Sequence, residues 1–145
     1  MEHWVEPMTT VALDTSFLID FLAGDRAAKR KMQELEEEIV TLAVPSIVAY
    51  ELLVLSSTDR QPERQQKALN IVETLLSRLP ILWPFDRRAA RLAADIQRAN
   101  YARGTPLSVR DLLIAATAMS NGCNTIVTRN KRDFERIEGV HVESY

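Results

Sequence analysis

The sequence predicts an α/β protein, a three-layer α/β/α, Rossmann-like domain built on a central, mainly parallel sheet. Short apolar runs alternate with longer stretches of helical periodicity from one end of the chain to the other. All four glycines, Gly24, Gly104, Gly122 and Gly139, fall at the ends of such stretches, where a terminating residue is needed. No linker, repeat or low-complexity tract divides the 145 residues, a length that suits one self-sufficient core.

Taken in order, "TVAL" (Thr10–Leu13) reads as a strand, "SFLIDFL" (Ser16–Leu22) as a helix and "AAKRKMQELEEE" (Ala27–Glu38) as a second helix. "IVTLAV" (Ile39–Val44) is a strand, and "PSIVAYELLVLSS" (Pro45–Ser57) starts a helix with proline in its first turn. "PERQQKALNIVETLLSRL" (Pro62–Leu79) is a long amphipathic helix whose apolar positions suit a core or a dimer face equally. "ILWPF" (Ile81–Phe85) is a strand, and "DRRAARLAADIQRANYARG" (Asp86–Gly104) a helix stopped by Gly104. "SVRDLLIAATAMSNG" (Ser108–Gly122) is a helix with Ser108 as N-cap and Gly122 as terminator. The strand "TIVT" (Thr125–Thr128), the short helix "KRDFERI" (Lys131–Ile137) and the strand "VHVE" (Val140–Glu143) close the chain. The domain is thus expected over residues 10–145, preceded by a flexible N-terminal extension over residues 1–9; Met8 is an alternative start.

Composition excludes several functions. Hydrophobic residues at 46% and charged residues at 26% give a globular balance rather than a disordered one. The single cysteine, Cys123, rules out an internal disulfide, and His3 and His141 stand at opposite ends without zinc-like spacing. The N-terminus "MEHWVEPMTT" lacks the basic start and apolar stretch of an export signal. Pro45, Ser46 and Glu51 interrupt the longest apolar region, so no membrane span is expected and the protein reads as cytoplasmic. Without a Gly-rich turn there is neither a dinucleotide fingerprint nor a Walker loop. Net charge is only −2, but "RNKRDFER" groups Arg129, Lys131, Arg132 and Arg136, and Arg87, Arg88 and Arg91 form a second basic group.

Four acids carry the chemistry. Asp14 follows the first strand, and in a parallel sheet the carboxyl ends of strands line the ligand crevice. Glu51 shares its helix face with Ile47, Val54 and Leu55, so its carboxylate must sit at a rim, pair with a cation or bind an ion. Asp111 lies three residues after Ser108, where it can close a capping box or serve as a ligand; the two roles are compatible. Small residues along Ile114, Ala115 and Ala118 leave room over that face for another element or an ion. At the last strand exit stand Thr128, Arg129 and Asn130, with Asp133 one turn into the next helix, an arrangement that also fits an ordinary capped turn. Two carboxylates about 4 Å apart repel by roughly 4 kcal/mol at an effective dielectric near 20, so convergent acids need protons or cations. Oxygen ligands without histidine or thiol suit Mg2+ or Mn2+, and such ions serve phosphate chemistry.

In order along the chain, "LDTSFLIDFL", "VPSIVAYELL", "SVRDLLIAATAMSNG" and "TIVTRNKRDFERI" resemble the PIN-domain ribonucleases, and among them the VapC-type toxins of toxin–antitoxin pairs. Each block is weak alone; the four together, from about Val11 to the C-terminus, are specific. The resemblance implies a Mg2+- or Mn2+-dependent endoribonuclease with Asp14, Glu51 and Asp111 as metal-binding and catalytic acids. Asn130 stands in the T-x-[ND] position where many relatives have Asp, and Asp133 is assigned to support the site in its place. Ser16 and Thr128 match the hydroxyl positions beside the metal, and Arg110, Arg129, Lys131 and Arg132 are the expected RNA contacts. A homodimer, inhibited by a small antitoxin protein, is also implied.

Other readings keep the same residues. Housekeeping RNA processing retains the chemistry, whereas a non-catalytic RNA- or protein-binding module would leave the acids idle. A phosphoaspartyl module would want an acid pair before the first helix and an Asp at a middle strand end, where "ILWPFD" offers only Asp86, better read as a helix cap.

Overall fold

In the computed structural model, which describes residues 9–145, five strands form one sheet in the order β3-β2-β1-β4-β5. β1 (Thr9–Leu13), β2 (Val40–Pro45), β3 (Ile81–Trp83), β4 (Thr125–Val127) and β5 (His141–Glu143) pair in parallel throughout. β1 lies at the centre, with Val11, Ala12 and Leu13 buried as both-face coverage of a parallel sheet requires. The expected extension falls on residues 1–8, outside the described residues, whereas Thr9 already pairs with Val40.

The helices fall into two groups by the strands they connect and by their packing. α1 (Thr15–Leu22), α2 (Arg26–Glu37), α3 (Ser46–Ser56) and α4 (Pro62–Arg78) connect β1, β2 and β3 in one direction; α1 packs on α2 and α3, and α3 on α4. α5 (Arg87–Ala102), α6 (Val109–Ser120) and α7 (Lys131–Glu135) serve the return path, with α6 packed on α5 and α7. The path reverses at β1, since β2 lies on one side and β4 on the other. A crevice therefore opens at the carboxyl ends of β1 and β4.

Local chemistry explains the boundaries. Ser108 caps α6 by accepting from the Asp111 N–H at 3.2 Å. Gly122 ends it at φ +76°, with its own N–H on the Met119 carbonyl and that of Cys123 on the Ala118 carbonyl, both at 3.0 Å. Asp86 caps α5 through the Ala89 N–H at 2.9 Å, which accounts for this carboxylate without a phosphoacceptor role.

Some elements differ from the sequence reading. β3 stops at Trp83 because Pro84 cannot donate to the ladder; the Phe85 N–H instead reaches Ser46 Oγ at 3.2 Å. Pro45 closes β2 rather than entering α3, and α7 ends at Glu135, two residues short of Ile137. Space predicted over Ile114, Ala115 and Ala118 is filled by the protein itself, since all three are fully buried in the core. Arg88 donates to the Ser120 carbonyl at 2.5 Å, tying the start of α5 to the end of α6.

Candidate active site

Leu13 and Val127 are neighbours in register, so the residues after them, Asp14 and Thr128, leave the sheet side by side. Asp14 begins α1 in extended conformation, yet its side chain caps nothing. Its carboxylate is completely buried and turned toward the crevice chemistry: Oδ2 accepts from Thr128 Oγ1 at 2.8 Å and from Ser16 Oγ at 2.9 Å. Ser16 Oγ and Thr128 Oγ1 are 3.1 Å apart, and each also accepts a backbone N–H, from Arg129 at 3.1 Å and from Asn130 at 3.0 Å. A buried carboxylate is tolerable only when its lone pairs are satisfied in this way.

The other acids arrive from two helices. Glu51 on α3 has Thr15 Oγ1 on its Oε1 at 2.6 Å, and its neighbours Val54 and Leu55 are exposed, so it stands at the rim of the apolar face. Asp111 occupies the first turn of α6, and its carboxylate turns away from the cap to accept from Arg110. The capping and site roles are thus divided between the Asp111 amide and its side chain.

Arg110 joins all three acids. Its Nη2 donates to Asp14 Oδ1 at 3.0 Å, its Nε to Glu51 Oε2 at 2.6 Å and its Nη1 to Asp111 Oδ1 at 2.6 Å. Burial opposes the charge on this guanidinium, but the Glu51 hydrogen bond and the charges of Asp14, Glu51 and Asp111 outweigh it and hold the group protonated above its ordinary range. Grouped with the RNA contacts in the sequence reading, Arg110 is here directed into the acid cluster.

The remaining candidates put no side-chain hydrogen bond or ion pair into that cluster among the described residues. Asp133 is exposed on α7, with no side-chain hydrogen bond or ion pair among the described residues. Asn130 is half-buried beside Thr128 and contributes its backbone, not its side chain, to the network. Arg129 is exposed, with Nη1 held by both oxygens of Asp20 at 2.8 and 3.1 Å; Lys131 pairs with Glu135 at 3.6 Å, and Arg132 is exposed. Sequence reasoning missed Thr15, although it is one of the two hydroxyls directly after Asp14, and missed the cluster of Asp20, Arg129 and Tyr145. Tyr145 donates to Asp20 Oδ2 at 2.6 Å and packs edge-on against Phe17 at 5.0 Å between ring centroids.

The acids fit a hard cation by their donor chemistry. Three carboxylates from β1's end, α3 and α6 point at a single positive group, and all donors are oxygen. Arg110 occupies the space between them. Among the described residues, no three Asp, Glu, His or Cys side chains are close enough to share an ion as they stand.

A family model described as "PIN domain" matches residues 11–140. The chain belongs to the PIN-domain family. This PIN domain is 36% identical over 104 residues, 72% of the chain and 75% of the relative, to a "tRNA(fMet)-specific endonuclease VapC" of Salmonella typhimurium. It is 30% identical to the protein of the same name from Shigella flexneri over 95% of this chain and 99% of that one. Among solved structures, DNA-bound VapBC from Salmonella typhimurium superposes with a TM-score of 0.78 at 30% identity, covering 94% of this chain and 98% of that one. VapBC2 from Rickettsia felis, bound to a promoter DNA fragment, gives 0.79 at 26% identity over 94% and 99% of the two chains. The three-layer PIN fold expected from the sequence is the one observed.

Proposed function

We propose that this protein is a divalent-metal-dependent endoribonuclease, the toxin of a type II toxin–antitoxin pair, with Asp14, Glu51 and Asp111 as the residues that hold the ion. One observation carries the reading: Glu51 and Asp111, 37 and 97 residues after Asp14 in sequence, converge with it on one guanidinium at the carboxyl edge, in a chain whose relatives are named VapC endonucleases. When bound, a divalent ion supplies Lewis acidity toward a phosphoryl oxygen and lowers the pKa of an attacking water.

The chain's own residues prepare that chemistry. Ser16 and Thr128 fix the Asp14 carboxylate by two hydrogen bonds and Thr15 fixes Glu51, so two of the acids are oriented before any ligand arrives. Asp111 is carried on the rigid first turn of α6. Asn130 adds its backbone amide to the network that holds Asp14, Asp133 is assigned a supporting role only, and Arg129, Lys131 and Arg132 supply cations for the RNA backbone. Mg2+ and Mn2+ are the ions that suit the donors. A tRNA is the first substrate to try, given the names of the two relatives.

The test is cleavage of an RNA, initiator tRNA included, with added Mg2+ or Mn2+, with EDTA, and with Asp14→Asn. Activity should require the metal and vanish in the other two conditions; equal cleavage in all of them contradicts the proposal. A housekeeping nuclease would share this outcome. The toxin reading is favoured because the structural neighbours are VapBC complexes, and it predicts growth arrest on expression, relieved by the product of a neighbouring small gene. The protein is further proposed to act in the cytoplasm as a homodimer; among the described residues no helix is long and apolar enough to cross a membrane.

A further inference from the structure

We propose that Arg110 is a built-in counter-cation of the acid cluster, and that its ion pairs and divalent-metal uptake exclude one another, so that Arg110 sets how readily the site loads. The inference rests on the metal-dependent reading above and adds a competitor encoded in the chain itself.

The guanidinium uses one oxygen of each acid, Asp14 Oδ1, Glu51 Oε2 and Asp111 Oδ1, and so stands between the three carboxylates. The three acids are too far apart to share an ion as they stand, so a cation held by all of them requires them to close into the space that Arg110 fills. Three carboxylates and one guanidinium leave two negative charges uncompensated, whereas a divalent ion in the guanidinium's place leaves one, so exchange relieves repulsion within the cluster.

Departure of Arg110 is also structurally simple. It is the second residue of α6, where the positive end of the helix dipole disfavours a cation, so the acids alone retain it. Its side chain is 33% exposed, and a long flexible stem on the first turn of a helix can swing outward without disturbing the core. The acids do not depend on it for orientation in full: Asp14 keeps Ser16 and Thr128, and Glu51 keeps Thr15.

Mutual exclusion is a coupling free energy and is reciprocal, so deleting the guanidinium must tighten metal binding. The experiment measures Mn2+ affinity of the full chain by the EPR signal of free Mn2+, for wild type, Arg110→Gln, Arg110→Lys and Asp14→Asn, without RNA. Arg110→Gln is expected to bind Mn2+ about tenfold or more tightly than wild type, within the usual range of such couplings. Arg110→Lys, which keeps the charge but cannot span three acids, should fall between the two. Equal or weaker binding by Arg110→Gln overturns the inference; if that variant does not fold, equal or weaker binding by Arg110→Lys does so. Wild-type uptake that is lost in Asp14→Asn upholds the metal site whatever Arg110 does, and no uptake by wild type and both Arg110 variants overturns the site and the inference together.

Discussion

Thr128 Oγ1 donates to Asp14 Oδ2 at 2.8 Å across a sequence separation of 114 residues. The bond exists because β1 and β4 are parallel neighbours, Leu13 beside Val127, so the first residue beyond each strand faces the other. Both partners are fully buried, which makes the contact expensive to break.

Thr128→Val keeps the shape of the side chain and removes its donor and acceptor. It strips one hydrogen bond from Asp14 and leaves the Asn130 amide without its partner, so we expect a loss of about 1–3 kcal/mol of stability in urea unfolding. RNA cleavage should fall by about 10- to 100-fold, as for groups that orient a metal ligand. Thr128→Ser, which retains the hydroxyl, should recover most of both; wild-type cleavage by Thr128→Val would contradict the orienting role.

Glu51→Gln tests the acid from α3. The amide keeps an oxygen for Thr15 or Arg110 but loses the charge, so folding should survive while metal-dependent cleavage falls by about 100-fold or more. Asp133→Asn, changed at an exposed residue with no side-chain hydrogen bond or ion pair among the described residues, should lower cleavage much less, by under about tenfold. Parallel initial-rate measurements distinguish the two, and equal losses would place Asp133 among the principal ligands.

Tyr145 provides a pH test. Burial raises its pKa first, and the hydrogen bond to Asp20 with that carboxylate's charge raises it further, above the ordinary phenol range. A raised folded-state pKa means that the stabilisation is fully present below the unfolded value near 10 and is lost as pH rises through the folded value. The difference between the phenolate absorbance titrations of wild type and Tyr145→Phe should therefore show a late tyrosine, with wild type losing its stability advantage over the variant only at strongly alkaline pH. An ordinary midpoint would show that the Tyr145–Asp20 bond does not persist in solution.

Much of this site could be read from the sequence because it depends on backbone placement. Asp14 and Thr128 follow directly from where two apolar runs end, and Asp111 from its distance to the capping Ser108. Glu51 was recognisable as a carboxylate on an apolar face that needed a partner, and its partners are Thr15 and Arg110. What the sequence does not contain is the path of long side chains. Adjacent helix residues ordinarily point about 100° apart, so nothing in "VRD" tells that the Arg110 fork would fold back over Asp111 and reach two further acids. The Asp20–Arg129–Tyr145 cluster was hidden for a similar reason: it joins α1, the loop after β4 and the C-terminal residue through side-chain tips, with no periodic signal in any of the three. Pro84 shows the reverse case, in which one missing N–H overrides an apolar run that reads as strand.

The most direct test is a crystal of the full chain soaked in Mn2+ and measured for anomalous scattering. The account predicts a peak bounded by carboxylate oxygens of Asp14, Glu51 and Asp111, with the Arg110 guanidinium displaced outward. An undisturbed Arg110 still bonded to all three acids, with no peak among them in a sample that takes up Mn2+ elsewhere, would contradict it.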